Sequence, residues 1–425
     1  MQQSSKKDRF IPLRKTDLIN ACIVQGQLVE ADKKAFTELC HILVSTLHFE
    51  YHQTLETLKD NYAPFDPNAD TLPVHATSQA SLEDKQQVFA QTFAQVLNAA
   101  NFEKVTEQDL QEALHEASLF KVRLEVEFSD FAEVVFYRRG EYQKTETLSK
   151  FWGLKKQQVT FTNYDKIAVY IKFKNAEYFA QKKAKNLNFE PDSTIIKLFQ
   201  NVPKADLEML FPNSEVRMRT LDKAIIGGSA LVGGTVVLVT KLGASLLLMA
   251  GLISYWVGLS DKAVTIGTQE LIALCAGAGV IGGFIFKEWS KFKNRKLKFM
   301  KALADNLYFK NLDNNAGVFH HLIDAAEEEE SKEAILAYYF LLISQHPISS
   351  EQLDQQIEEW FAHQFNFEID FEIEDALNKL HRFGLIEKQD TLYRALPLNQ
   401  AHAQLDKEWD NIFSTPVNES DSKLT

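Results

Sequence analysis

The spacing of apolar positions changes three times along the chain. Phe36, Leu39, Leu43, Leu47, Tyr51 and Leu55 recur every three or four residues, the signature of one apolar helix face. The segment Ala63-Pro-Phe-Asp-Pro-Asn-Ala-Asp-Thr-Leu-Pro73 breaks that helix with three prolines, and a second helix is predicted over Leu82–Ala99. Thr106-Glu-Gln-Asp109 fits a capping box opening a third. From there the period becomes two. Val122, Leu124, Val126 and Phe128 alternate with charged residues, as do Ile167, Val169, Ile171 and Phe173. The runs Ala132–Tyr137 and Gln158–Thr162 lie between them, with Arg139-Gly140 as turn material. Four short strands in succession predict a half-exposed antiparallel sheet. A helix is expected over Asp192–Gln200, and helix again from Lys287 through Glu327–Glu330 to Ser344. Two amphipathic helices, Ser350–Phe365 and Phe371–Phe383, precede the hairpin material Gly384–Arg394, which is a winged-helix order. The tail after Phe413, rich in Ser, Asn and Asp, is expected to be disordered.

The third pattern is apolar throughout. Uncharged stretches cover 224–240, 242–260 and 271–286, of 17, 19 and 16 residues, where a membrane span needs ~20. Arg217, Arg219 and Lys223 precede the region; Lys287, Lys291, Lys293, Arg295, Lys296, Lys298 and Lys301 follow it. Cations collect on the cytoplasmic side of a bilayer, so both flanks read as inside and the crossings are even in number. Two spans are expected, at about 242–259 and 264–286, with a brief exit near Ser260-Asp-Lys262. The Gly-rich 224–240 stretch is left open as a third span, re-entrant, or packed on the body.

These readings combine into an α+β fold: a helical and antiparallel-sheet cytoplasmic body, interrupted by an α-helical transmembrane hairpin, with a C-terminal winged-helix-like module. The expected boundaries are 1–118 (helical), 119–222 (antiparallel sheet), 223–286 (membrane region), 287–345 (basic juxtamembrane and acidic helices), 346–413 (winged-helix-like) and 414–425 (tail).

Composition narrows the class. Hydrophobic residues make up 45% and charged residues 24%, with a mean hydropathy of -0.22, so the apolar region is an insert in an otherwise water-compatible chain. A formal charge of -12 opposes binding to phosphate backbones, and nucleic acid is not expected as a partner. Cys22, Cys40 and Cys275 form no C-x-x-C pair and suit a reducing compartment. Residues 1–10 carry basic side chains without an apolar run behind them, unlike a signal peptide.

Several longer segments carry a family resemblance. They are Arg9-Phe-Ile-Pro-Leu13, Ala63-Pro-Phe-Asp-Pro67, Leu198–Pro212, Asp305–Gly317 and Glu327–Tyr339. Together they resemble the transmembrane protein 143-like family, a family of unknown function (domain-of-unknown-function family 3754), over about residues 9–413. The resemblance implies two membrane spans and brings no activity or catalytic residues. With no transit-type N-terminus, it implies a multi-pass protein of a bacterial cytoplasmic membrane with both termini cytoplasmic.

Candidate chemistry is sparse. His41, His48 and His52 share a helix face, but Phe49 follows His48 where H-E-x-x-H requires Glu, so packed or surface histidines are the better account. Asp66–Asp70 starts like a calcium loop, yet Thr71 and Thr77 occupy the required Gly and Glu positions. The Glu327–Glu330 run reads as a solvated helix face, and the first turn of the winged-helix recognition helix is acidic. No catalytic, cofactor or metal residue is assigned. The basic residues from Lys287 to Lys301 are the one candidate contact site, for anionic lipid headgroups. The expectation is a non-enzymatic, membrane-anchored scaffold contacting the bilayer, unidentified proteins or further copies of itself. The rival classes are an oligomeric transporter or channel subunit and, behind it, a lipid-acting enzyme.

Overall fold

A computed structural model describes residues 9–25, 28–71, 78–106, 108–110, 123–150, 155–182, 187, 189–213, 215–217, 250–251, 253–258 and 267–413. Two compact units result: residues 1–110, 129–204 and 311–425 in the first, and 111–128 with 205–310 in the second.

The first unit is built on a five-stranded antiparallel sheet. Its strands are β1 (Glu103–Lys104), β3 (Phe131–Lys150), β4 (Lys155–Phe173), β5 (Thr194–Pro203) and β7 (Asn311–Asn314), in the order β1-β3-β4-β5-β7. Gln158–Thr162 and Ile167–Phe173 belong to one strand, β4, which pairs along nearly its whole length with β3. Arg139-Gly140, expected as a turn, lies inside β3. Gly140 has φ +69°, and a Cβ there would fall 2.7 Å from the Asp165 Cβ, so a glycine is required by two separate constraints.

The helix expected over Asp192–Gln200 is instead strand β5. Its Thr194-Ile195-Ile196 start is β-branched, and it is sandwiched between β4 and β7, so packing on both edges overrides the local helical pattern. The helices of this unit are α1 (Lys15–Val24), α2 (Glu30–Tyr62), α3 (Gln79–Ala99), α4 (Ala176–Gln181), α6 (Ala316–Ile343), α7 (Ser350–Phe365), α8 (Ile373–Arg382) and α9 (Leu398–Asp410). The capping box at Thr106 forms: Asp109 N–H donates to Thr106 Oγ1 at 3.1 Å, and Thr106 N–H donates to Asp109 Oδ2 at 3.2 Å. Strands β8 (Ile348–Ser349), β9 (Ile386–Gln389) and β10 (Leu392–Ala395) form a small sheet in the order β8-β10-β9 around α7 and α8. The tail after Phe413 lies outside the described residues.

The second unit holds the antiparallel pair β2 (Arg123–Glu125) and β6 (Glu215–Arg217), and the 43-residue helix α5 (Thr268–Lys310). Phe128 stacks edge-on against Phe211 with ring centroids 5.2 Å apart.

The α+β assignment with antiparallel sheets stands; the transmembrane hairpin does not. Among the described residues no helix is long and apolar enough to cross a membrane. Helix α5 supplies the physical reason. Its uncharged stretch, 271–286, has 16 residues, short of the ~20 that a bilayer core demands. The same helix then continues without a break through the basic run to Lys310. The integral-membrane function, the multi-pass placement and the charge-parity argument for the termini fall with the hairpin. Of the expected 242–259 span, 250–251 and 253–258 are described, ending in a turn at Gly258 (φ +75°). Residues 218–249, including the 224–240 stretch, and 259–266 lie outside the described residues.

Candidate functional site

Helix α6 runs through two apolar cores. Its first half places Val318, Phe319, Leu322, Ile323 and Ala326 in a core with Leu58, Tyr62, Phe89 and Phe93 of α2 and α3 and Ile196 of the sheet. Its second half, Ala334–Leu341, lies in a core with Phe36, Leu39, Leu43, Phe361 of α7 and Leu377 of α8. Between the cores Glu329, Glu330, Ser331, Lys332 and Glu333 are all buried. This corrects the expected solvated face for Glu329 and Glu330, which are buried where the helix passes between the two cores, while Glu327 and Glu328 stay partly exposed.

Buried charges must be paired and hydrogen-bonded. Lys332, 1% exposed, places Nζ 2.6 Å from Glu329 Oε1, and donates to the carbonyl oxygens of Ile11 (2.7 Å) and Leu13 (3.2 Å). Glu329 Oε2 accepts from Ile11 N–H at 3.0 Å, and Glu328 accepts from Lys15 N–H at 2.9 Å. Asn101, just past α3, donates to Arg9 O and to Glu333 Oε1. The Phe10 ring lies under the Arg139 guanidinium at 4.2 Å and the Lys332 ammonium at 5.2 Å. Arg9 pairs with Glu372. Residues 9–14 therefore form an extended strap whose backbone satisfies charges more than 300 positions away.

The same polar layer opens into a cleft of about 350 Å³ among α2, α3, α6 and α8. Glu50, Tyr51 and Thr54 line it from α2, Gln95 and Asn98 from α3, Glu330 from α6, and Asp375, Lys379 and Arg382 from α8. Arg382 grips Glu50 through both nitrogens, at 2.6 and 2.9 Å. Lys379 pairs with Glu330, and with Glu333 at 3.4 Å. Burial, with Arg382 one turn on, pushes the Lys379 ammonium down to about 7. Burial pushes the Glu333 carboxyl well up, against the Asn101 hydrogen bond that favours its anion. The Tyr51 hydroxyl is also pushed up, first by burial and then by Glu333 and Glu50. Two titratable groups of opposite type, both biased toward their neutral forms, thus lie 3.4 Å apart, Lys379 lining the cleft and Glu333 behind it.

Of the basic residues singled out from the sequence, Lys287, Lys291, Lys293 and Lys301 are exposed on α5, and Lys293 Nζ sits 4.3 Å over the Trp289 ring. The side chains of Arg295, Lys296 and Lys298 lie outside the described residues. His41, His48 and His52 are exposed on α2 and do not converge; His48 Nδ1 contacts Glu327 Oε2 at 2.7 Å. Among the described residues no group of three or more His, Cys, Asp or Glu side chains could hold a metal ion. Asp66 Oδ1 accepts from Asn68 N–H, an Asx turn that accounts for the calcium-like start.

Part of this framework has a counterpart among known families. Residues 164–317 match the model of a protein family of unknown function, DUF3754. The DUF3754 match begins on β4, takes in β5 and all of α5, and ends in the first turn of α6. It stops short of the buried charges and of α8. No solved structure matches the chain.

Proposed function

We propose that the first unit is a non-enzymatic binding module whose cleft takes a small polar ligand. The observation that carries this is the convergence of five charged side chains from three helices on one cleft of about 350 Å³, a size and chemistry suited to small-molecule recognition. Lys379, perturbed by burial in that cleft, adds to the reading. The non-enzymatic part is supported by the pairing of four of the five charged groups with one another. Thr54, the cleft's aliphatic hydroxyl, is committed to the Glu50 carbonyl at 3.0 Å.

The test is a thermal-shift comparison of the full chain with its Thr54→Trp variant, across amines, carboxylates, phosphates and neutral polyols. Thr54→Trp fills the cleft from a half-buried surface position. A stabilising shift seen in the wild type and lost in Thr54→Trp supports the reading; no shift with any class sinks it.

The exposed basic run of α5 supports a second reading, contact with anionic lipid headgroups from outside the bilayer, at ~1 kcal/mol per cation near the surface. Co-sedimentation with phosphatidylserine vesicles but not phosphatidylcholine vesicles is the expected result. The finer resemblance to transmembrane protein 143-like proteins rests on motifs including Arg9-Phe-Ile-Pro-Leu13, which lies outside the 164–317 match.

A further inference from the structure

When Lys379 holds its proton, the cleft's two cations are both committed. Arg382 is held bidentately by Glu50, and Lys379 lies against Glu330 with Glu333 behind it. Asp375 lies one turn before Lys379 on α8, lines the same cleft, and is only partly exposed. It makes no hydrogen bond or ion pair with any described residue. Pairing Glu50 with Arg382 and Glu330 with Lys379 leaves one carboxylate over.

Asp375 acts on two neighbouring groups as a minor cause behind burial. The Tyr51 hydroxyl is raised by burial and then by Glu333 and Glu50, with Arg382 opposing and Asp375 adding to the rise. Glu333 is raised by burial and, among its charged neighbours, by Glu329, Glu372 and Asp375. Burial is the larger cause at both, and the Asp375 charge reaches them through surroundings in which it acts more strongly than in water.

Resting on the ligand-binding reading above, we propose that the ligand is a small organic amine. Asp375 is its counter-ion, the Tyr51 ring packs against the cation, and the Gln95 and Asn98 amides accept its remaining hydrogen bonds. The competing account gives Asp375 no ligand: an acid in the first turn of α8 is favoured there by the helix dipole alone.

Calorimetric titration of the full chain with putrescine and, separately, succinate distinguishes the accounts. Saturable putrescine binding is expected, weakened roughly tenfold or more in Asp375→Asn, as loss of a charge-assisted contact implies, and largely kept in Asp375→Glu. Circular dichroism establishes that each variant is folded. If Asp375→Asn does not fold, the Asp375→Glu and Thr54→Trp titrations decide, the first retaining putrescine and the second losing it. Putrescine affinity unchanged in Asp375→Asn overturns the proposal. Succinate binding without putrescine binding overturns it too, while leaving the cleft as a ligand site. Binding of neither, together with no thermal shift from any ligand class, removes both readings.

Discussion

Lys332 and Glu329 show how a buried ion pair is stabilised by its surroundings rather than by itself. Taking two charges out of water costs more than their mutual attraction returns unless further hydrogen bonds complete the site. Here Ile11 and Leu13 supply them through backbone groups. Lys332→Met leaves the Glu329 carboxylate buried without its cation, and is expected to lower unfolding free energy by about 3–5 kcal/mol. The double variant Glu329→Gln/Lys332→Met should recover much of that loss; urea denaturation of both measures it.

Lys379 makes a prediction in pH. Its ordinary value of 10.5 falls to about 7 in the fold, so between those values the unfolded chain holds a proton that the folded chain has released. Stability then rises with pH across that window, and this contribution is lost as pH falls through the folded value. Lys379→Met should remove the rise, seen as a flatter slope of urea midpoint against pH from 7 to 10.5.

At this scale the sequence was a partial guide. Glu327–Glu330 could be seen as charged, but burial of its second half was implied only by the apolar run that follows, Ala334 to Leu341, and by the apolar face of Val318 to Ala326. Asp375, Lys379 and Arg382 were visible on one predicted helix. Nothing local linked them to Glu50, more than 300 positions earlier.

Elements with a regular period were legible. α2, α3, α7 and α8 lie where the three- and four-residue spacing put them, because each buries one face on a core. β5 was not legible: Ile195, Leu198, Phe199 and Val202 recur at helical spacing, and only the neighbours β4 and β7 decide between strand and helix. Gly140 illustrates the same limit. As turn material it is ordinary, whereas inside β3 it must hold φ +69° beside Asp165. Gly140→Ala should destabilise by more than ~1 kcal/mol, read as a lowered thermal midpoint. The strap at residues 9–14 behaves as an element without secondary structure. Deleting residues 1–14 strips Glu329 and Lys332 of their backbone partners and should cost on the order of 3 kcal/mol or more, again by urea denaturation.

For the molecule as a whole, hydropathy was the least reliable guide. Three uncharged stretches and two basic flanks predict a hairpin in the bilayer, yet α5 joins an apolar segment of 16 residues to the basic run in one continuous helix. The second unit offers exposed cations; the first offers the polar layer, the strap and the cleft. The central claim is that the cleft is the ligand site, and hydrogen exchange of the full chain with and without saturating putrescine tests it most directly. The account predicts slowed exchange in peptides covering 47–54, 95–99 and 375–382, and little change elsewhere. Protection confined to other segments, or none at saturating ligand, would contradict it.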